Sequence, residues 1–241
     1  MTFSLQLLAL ACAPSPRSGP STPVSVSAPH GIERVVRAGS AGPRVVVLHG
    51  YGATPEGILG LMEGLESPAR LLAPQAPSPA LDGWAWFPLS RDVGGPDGLG
   101  PGIAAAADDI AVWMVEEGVS STDPAVVTGF SQGGMLSFAL AARHPELVTL
   151  AVPLGGMLPP ELTPETPPPA PSPRIRAWHG ADDRRVPAAL AERTVRVMAR
   201  AGWDAELQRV PDAGHTVPAA ARIGLLHAVQ ELQADQAPTA P

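Results

Sequence analysis

At 241 residues the chain is long enough to bury the core of one large α/β domain. Its net charge of −7, without a basic cluster, argues against a nucleic-acid surface, which needs concentrated positive charge. All sixteen basic residues are arginine, so P-loop and Schiff-base lysines and a serine–lysine dyad are excluded; asparagine is absent too, which removes glycosylation sequons and a cysteine–histidine–asparagine site.

The first segment, 1–12, is apolar and ends in Ala9-Leu10-Ala11-Cys12, which resembles a bacterial lipobox. The n-region carries no arginine or lysine and the apolar run is short. Two readings stay open: an exported chain anchored to the membrane by lipidation of Cys12, and a cytoplasmic chain with an apolar tail. Cys12 is the single cysteine, so it can form neither an internal disulfide nor a cysteine-rich metal site. Residues 13–31, rich in proline and serine, read as an extended linker. No later segment approaches the roughly twenty apolar residues needed to span a bilayer.

A single domain is expected over 32–233. Arg44-Val45-Val46-Val47-Leu48 is a continuous β-branched run of the kind a doubly covered parallel strand shows, and it ends in His49-Gly50-Tyr51-Gly52. Leu71-Leu72-Ala73 is a second short strand. The glycine- and proline-rich stretch 83–102, with Trp84, Trp86 and Phe87, reads as a long functional loop. Residues 103–117 carry apolar side chains at helical spacing and stop at Gly118. Strand 125–130 and helix 135–143 follow, then strand 148–154, a proline-rich excursion over 158–173 and strand 174–179. Helix 188–201 stops at Gly202, strand 205–210 follows, and helix 218–233 precedes a tail, 234–241, expected to be disordered. Strand–helix alternation of this kind predicts a mostly parallel sheet with helices on both faces and a ligand site at the carboxyl ends of the strands.

The chemistry concentrates at Thr128-Gly129-Phe130-Ser131-Gln132-Gly133-Gly134, between that strand and that helix. A Gly-x-Ser-x-Gly in a strand–turn–helix setting puts its serine on a strained turn, with glycines keeping Cβ atoms away from the neighbouring backbone. Three letters recur by chance in a glycine-rich chain, so the flanking elements and partners carry the argument. A serine hydroxyl needs a base, and histidine has the right proton affinity; a carboxylate must then hold the imidazole. His215 lies in a polar loop after the last strand, whereas His49 and His179 stand in strand-end His-Gly pairs and read as structural turn residues. The loop Gly180-Ala181-Asp182-Asp183-Arg184-Arg185-Val186-Pro187 supplies an acid, and spacing leaves Asp182 and Asp183 both open. The order serine, acid, histidine is that of α/β-hydrolases. The amide of Gln132, next to the serine, and that of Tyr51, after the first strand, stand where oxyanion donors are needed.

His49-Gly50-Tyr51-Gly52-Ala53, Pro74-Gln75-Ala76-Pro77 with Trp86-Phe87, the Ser131 motif, His179-Gly180-x-x-Asp183-x-x-Val186-Pro187 and Gly214-His215 together resemble the phospholipase/carboxylesterase family, over about 45–229. The resemblance implies an α/β-hydrolase fold with Ser131 as nucleophile, Asp183 as acid, His215 as base and the Tyr51 and Gln132 amides as oxyanion donors, and implies that Trp84, Trp86 and Phe87 border the substrate pocket. It implies no metal or other cofactor, and small acyl esters as substrates, with thioesters and lysophospholipids as alternatives. Arginine at 184 and glycine at 134 depart from the family's commoner proline and alanine. A reading of another class is a binding module that keeps the fold without turnover.

Overall fold

The structure is a computed structural model that describes residues 30–89 and 98–236. Cys12, most of the linker, residues 90–97 and the last five residues lie outside the described residues. In chain order the elements are β1 (Val35–Ala38), β2 (Arg44–Leu48), α1 (Pro55–Leu59), β3 (Arg70–Pro74), β4 (Ser78–Ala80), β5 (Gly83–Ala85), α2 (Gly100–Glu116), β6 (Ala125–Phe130), α3 (Gln132–Arg143), β7 (Val148–Leu154), β8 (Arg174–Gly180), α4 (Ala188–Arg200), β9 (Ala205–Val210) and α5 (Ala219–Gln236).

Seven strands form one sheet in the order β1-β3-β2-β6-β7-β8-β9. β1 runs antiparallel to β3, and every other pairing in that sheet is parallel. Successive side chains of β2 alternate between its faces: Val46 and Leu48 enter a core with α2, α3 and α4, and Val45 and Val47 enter a second core with α1 and α5. Burial on both faces explains the uninterrupted valines, each contributing about 1.5–3 kcal/mol. The chain leaves β2 toward β3 and leaves β6 toward β7, in opposite directions, so the crevice of the sheet opens above the carboxyl ends of β2 and β6. Among the described residues no helix is long and apolar enough to cross a membrane.

Strands β2, β6, β7 and β9 lie where the sequence puts them. The stretch 83–102 departs from a single long loop: β5 pairs with β4 in a hairpin, and α2 starts at Gly100, because Pro101 is tolerated in a first turn. The helix expected to end at 233 continues through Gln236, so 234–236 are helical, not a disordered tail. Residues 158–173 are irregular apart from one 3₁₀ turn, Pro160–Leu162, and are pinned by Trp203, whose Nε1–H donates to the Thr166 carbonyl at 2.9 Å.

Candidate active site

Ser131 sits between β6 and α3 with φ 58° and ψ −113°, a left-handed conformation that L-residues rarely adopt. Backbone proximity enforces it. A Cβ at Gly129 would meet the Leu48 carbonyl oxygen at 2.4 Å, and one at Gly133 would meet the same atom at 2.0 Å, so both flanking positions require glycine. Gly134 is as tight: its Cβ would stand 2.5 Å from the Leu154 carbonyl oxygen and 3.1 Å from the Gly156 nitrogen. The Ser131 amide donates to the Leu154 carbonyl at 3.0 Å and locks the turn onto β7.

Asp183 and His215 reach Ser131 because β8 and β9 are parallel neighbours whose exit loops are strapped together. Ala181 N–H donates to the Val210 carbonyl and Asp182 N–H to the Ala213 carbonyl, each at 2.9 Å. Asp183 then turns inward, 6% exposed, while Asp182 stays at the surface. His215 Nδ1 lies 2.6 Å from Asp183 Oδ2, and its Nε2 lies 2.9 Å from Ser131 Oγ. A carboxylate only accepts, so Nδ1 carries the proton and Nε2 accepts from the serine hydroxyl. The other carboxylate oxygen accepts from the Arg185 and Val186 amides, both at 2.9 Å. Burial pushes the Asp183 carboxyl up, but the hydrogen bond from His215, those two amides and the His215 charge outweigh it and hold the group below its ordinary value. Phe130 covers one side of the His215 ring, with centroids 4.7 Å apart. An imidazole held in this way can take a proton from Ser131 and return it to a leaving group.

The Tyr51 loop and Gln132 flank the serine from the β2 side. The Gln132 amide is the first of α3 and has no hydrogen-bond partner among the described residues, nor has that of Tyr51. The Gln132 side chain is buried: its Oε1 accepts from Trp86 N–H at 3.1 Å and its Nε2 donates to the Phe87 carbonyl at 2.7 Å.

The expectation that Trp84, Trp86 and Phe87 border the pocket is corrected. Trp86 and Phe87 are 6% and 3% exposed and belong to the core, and none of the three lines the cavity that contains Ser131. Their polar groups brace the loop behind it. Trp86 Nε1–H donates to the His49 carbonyl at 2.9 Å, and Trp84 exchanges backbone hydrogen bonds with Gly52 and Ala53 at 2.8 and 3.0 Å. The Ser131 cavity, about 580 Å³, is instead walled by aliphatic and methionine side chains from separate segments, among them Ile58, Leu81, Leu99, Met135, Met157 and Leu190. These sit in no shared motif, so only the aromatics advertised themselves. A larger open groove, lined by Pro43, Arg70, Asp123 and Gln233, lies at the amino ends of the strands, away from the serine. Among the described residues no group of three or more histidine, cysteine, aspartate or glutamate side chains is placed to hold a metal ion.

A model of the family described as phospholipase/carboxylesterase matches residues 30–221. No curated protein matches the sequence significantly. Among solved structures, esterase PE8 superposes with a TM-score of 0.70 at 24% identity, covering 82% of this chain and 97% of its own. Acyl-protein thioesterase 2 of Zea mays gives 0.63 at 22% identity, covering 82% and 98%, and a carboxylesterase from Mesorhizobium loti gives 0.67 at 21%, covering 80% and 90%. At these identities the likenesses establish the fold, a mostly parallel sheet with helices on both faces.

Proposed function

The chain belongs to the phospholipase/carboxylesterase family, and from that premise we propose that it is a serine hydrolase cleaving carboxylic esters of short to medium acyl chains. The observation that carries the proposal is the continuous relay from Asp183 through His215 to Ser131, at 2.6 and 2.9 Å. His215 removes the Ser131 proton as Oγ attacks the acyl carbonyl, and Asp183 stabilises the imidazolium that forms. The oxyanion draws hydrogen bonds from the Tyr51 and Gln132 amides; one such donor is worth roughly a hundredfold or more in rate. His215 then protonates the departing alcohol, leaving an acyl-serine. Water, deprotonated by the same histidine, attacks the acyl carbon and releases acid and free serine.

Thioesters of the same acyl chains are the second reading, favoured by the apolar wall of the cavity and by the likeness to a plant acyl-protein thioesterase. The test is a p-nitrophenyl ester series from acetate to decanoate, with a matched thioester, on wild type and Ser131→Ala. Loss of a triad nucleophile costs on the order of a thousandfold or more. A folded wild type no faster than the variant on every substrate sinks the proposal and leaves a binding module.

A further inference from the structure

We propose that the Ser131 cavity selects substrates that join an apolar chain to an anionic group, with Arg185 recognising the anion; this rests on reading the site as an esterase site. Arg185 lines the cavity together with Val186 and Leu190, and it is the one formally charged side chain at neutral pH among the cavity's described lining residues. Its backbone is fixed, because Arg185 N–H is one of the two amides that hold Asp183 Oδ1. Its guanidinium makes no ion pair or hydrogen bond among the described residues. Arg143, Arg176 and Arg209 by contrast sit on Asp108, Asp204 and Glu192.

Arg185 is thus a cation that, among the described residues, has no carboxylate partner and stands at the wall of a mostly aliphatic cavity, open to a ligand. The guanidiniums of Arg184, Arg193, Arg196 and Arg200 likewise make no ion pair or hydrogen bond among the described residues, and Arg185 is exposed as Arg184 is; its place on the cavity wall, which none of the other four shares, sets it apart. A guanidinium presents a planar fork of donors that matches a carboxylate or a phosphate. Leu81, Leu99, Met135 and Met157 across the same space offer nothing to an anion and suit an alkyl chain. The anion can reside on either part of the ester, as a dicarboxylic half-ester or as an acidic alcohol.

The test compares kcat/KM for matched pairs. The acyl arm uses the p-nitrophenyl half-ester of adipic acid against p-nitrophenyl hexanoate. The alcohol arm uses 4-hexanoyloxybenzoate against its methyl ester. The readout is the anionic-to-neutral ratio within each enzyme, from which the amount of folded protein cancels. Arg185→Gln should lower that ratio about tenfold in one arm, between the worth of a solvent-exposed ion pair and that of a desolvated charged hydrogen bond. Arg185→Lys should restore much of it, Arg184→Gln should leave it alone, and the affected arm tells which part of the ester carries the anion. A ratio that moves less than twofold in both arms overturns the inference. If no ester is turned over, the esterase reading fails separately. Calorimetric binding of octylphosphonate against 1-octanol, to wild type and Arg185→Gln, then still decides: equal affinities of both enzymes for the phosphonate overturn the role of Arg185.

Discussion

Two His-Gly pairs close parallel strands on either side of Ser131, and the same two letters do different work at each. His49, at the end of β2, has both ring nitrogens occupied: Nδ1–H donates to the Gly50 carbonyl at 2.8 Å, and Nε2 accepts from Ala76 N–H at 3.1 Å. It fixes the Gly50–Tyr51 peptide, which carries the Tyr51 amide. His179, at the end of β8, spends one nitrogen twice. Nε2–H donates to the Val186 carbonyl at 2.7 Å and lies 3.3 Å from Asp183 Oδ2, while Nδ1 has no partner among the described residues. On the proposed mechanism the first histidine shapes the side of the site that faces the oxyanion, and the second steadies the side that moves the proton. A buried imidazole is thus a strut whose function is set by what its loop carries.

The largest effect should come from disabling the β8 side at its carboxylate. Asp183→Asn keeps the shape but removes the acceptor that fixes the His215 tautomer, so kcat should fall on the order of 10³–10⁴-fold while the protein stays folded. A loss below tenfold, measured with the best p-nitrophenyl ester, would mean that Asp183 does not hold the base. On the β2 side, His49→Leu strands the Gly50 carbonyl and the Ala76 amide in a buried setting, at about 1–3 kcal/mol for each. The Tyr51 loop should loosen, lowering kcat about 10- to 100-fold with the shape of its pH profile unchanged. His179→Leu leaves Asp183 with its bonds to His215 and two amides and strands only the Val186 carbonyl. It should cost about 1–2 kcal/mol of stability and less than tenfold in kcat, read by thermal melts and steady-state rates. If His179→Leu proves more damaging to kcat than His49→Leu, the division of labour is wrong.

Legibility followed the strictness of the physics. The Ser131 turn could be read because backbone packing at Gly129 and Gly133 admits no Cβ, and β2 because burial on two faces demands an apolar run. Asp183 could not be separated from Asp182 by spacing, since the choice depends on which carboxyl turns under His215, and that is settled by the strap between the β8 and β9 loops. β1 escaped because Val35-Val36-Arg37-Ala38 is a short, half-exposed edge strand with no alternation to detect. The β4–β5 hairpin escaped because Pro79 and Gly83 argue against strands and pairing overrides them. Trp86 and Phe87 misled because a large aromatic is as much at home in a core as in a pocket, and the deciding hydrogen bond, from the Trp86 indole to His49, spans 37 positions.

The smallest effect is the response of stability to acid, and it separates the two strand ends by pH. Burial lowers the His49 pKa, with only partial compensation from the Gly50 carbonyl. The unfolded chain therefore binds more protons than the native one as pH falls below the ordinary imidazole value, about 6.5, and native stability drops from there until His49 itself protonates. Asp183 is also lowered, so its contribution is fully present above the ordinary carboxylate value, about 3.9, and is lost only as pH falls below that toward the folded value. Between pH 6.5 and 5, then, the β2 end should weaken while the β8 end holds. One proton of difference is worth up to about 1.4 kcal/mol per pH unit, or about 3–6 °C in Tm for a domain of this size. Melts of wild type and His49→Gln across this range should converge as pH falls, because the variant lacks the titrating group, whereas Asp183→Asn should run parallel to wild type until below about pH 4. Parallel curves for wild type and His49→Gln would mean that the His49 imidazole stays protonatable in the fold, and the strut role argued for it would then fail.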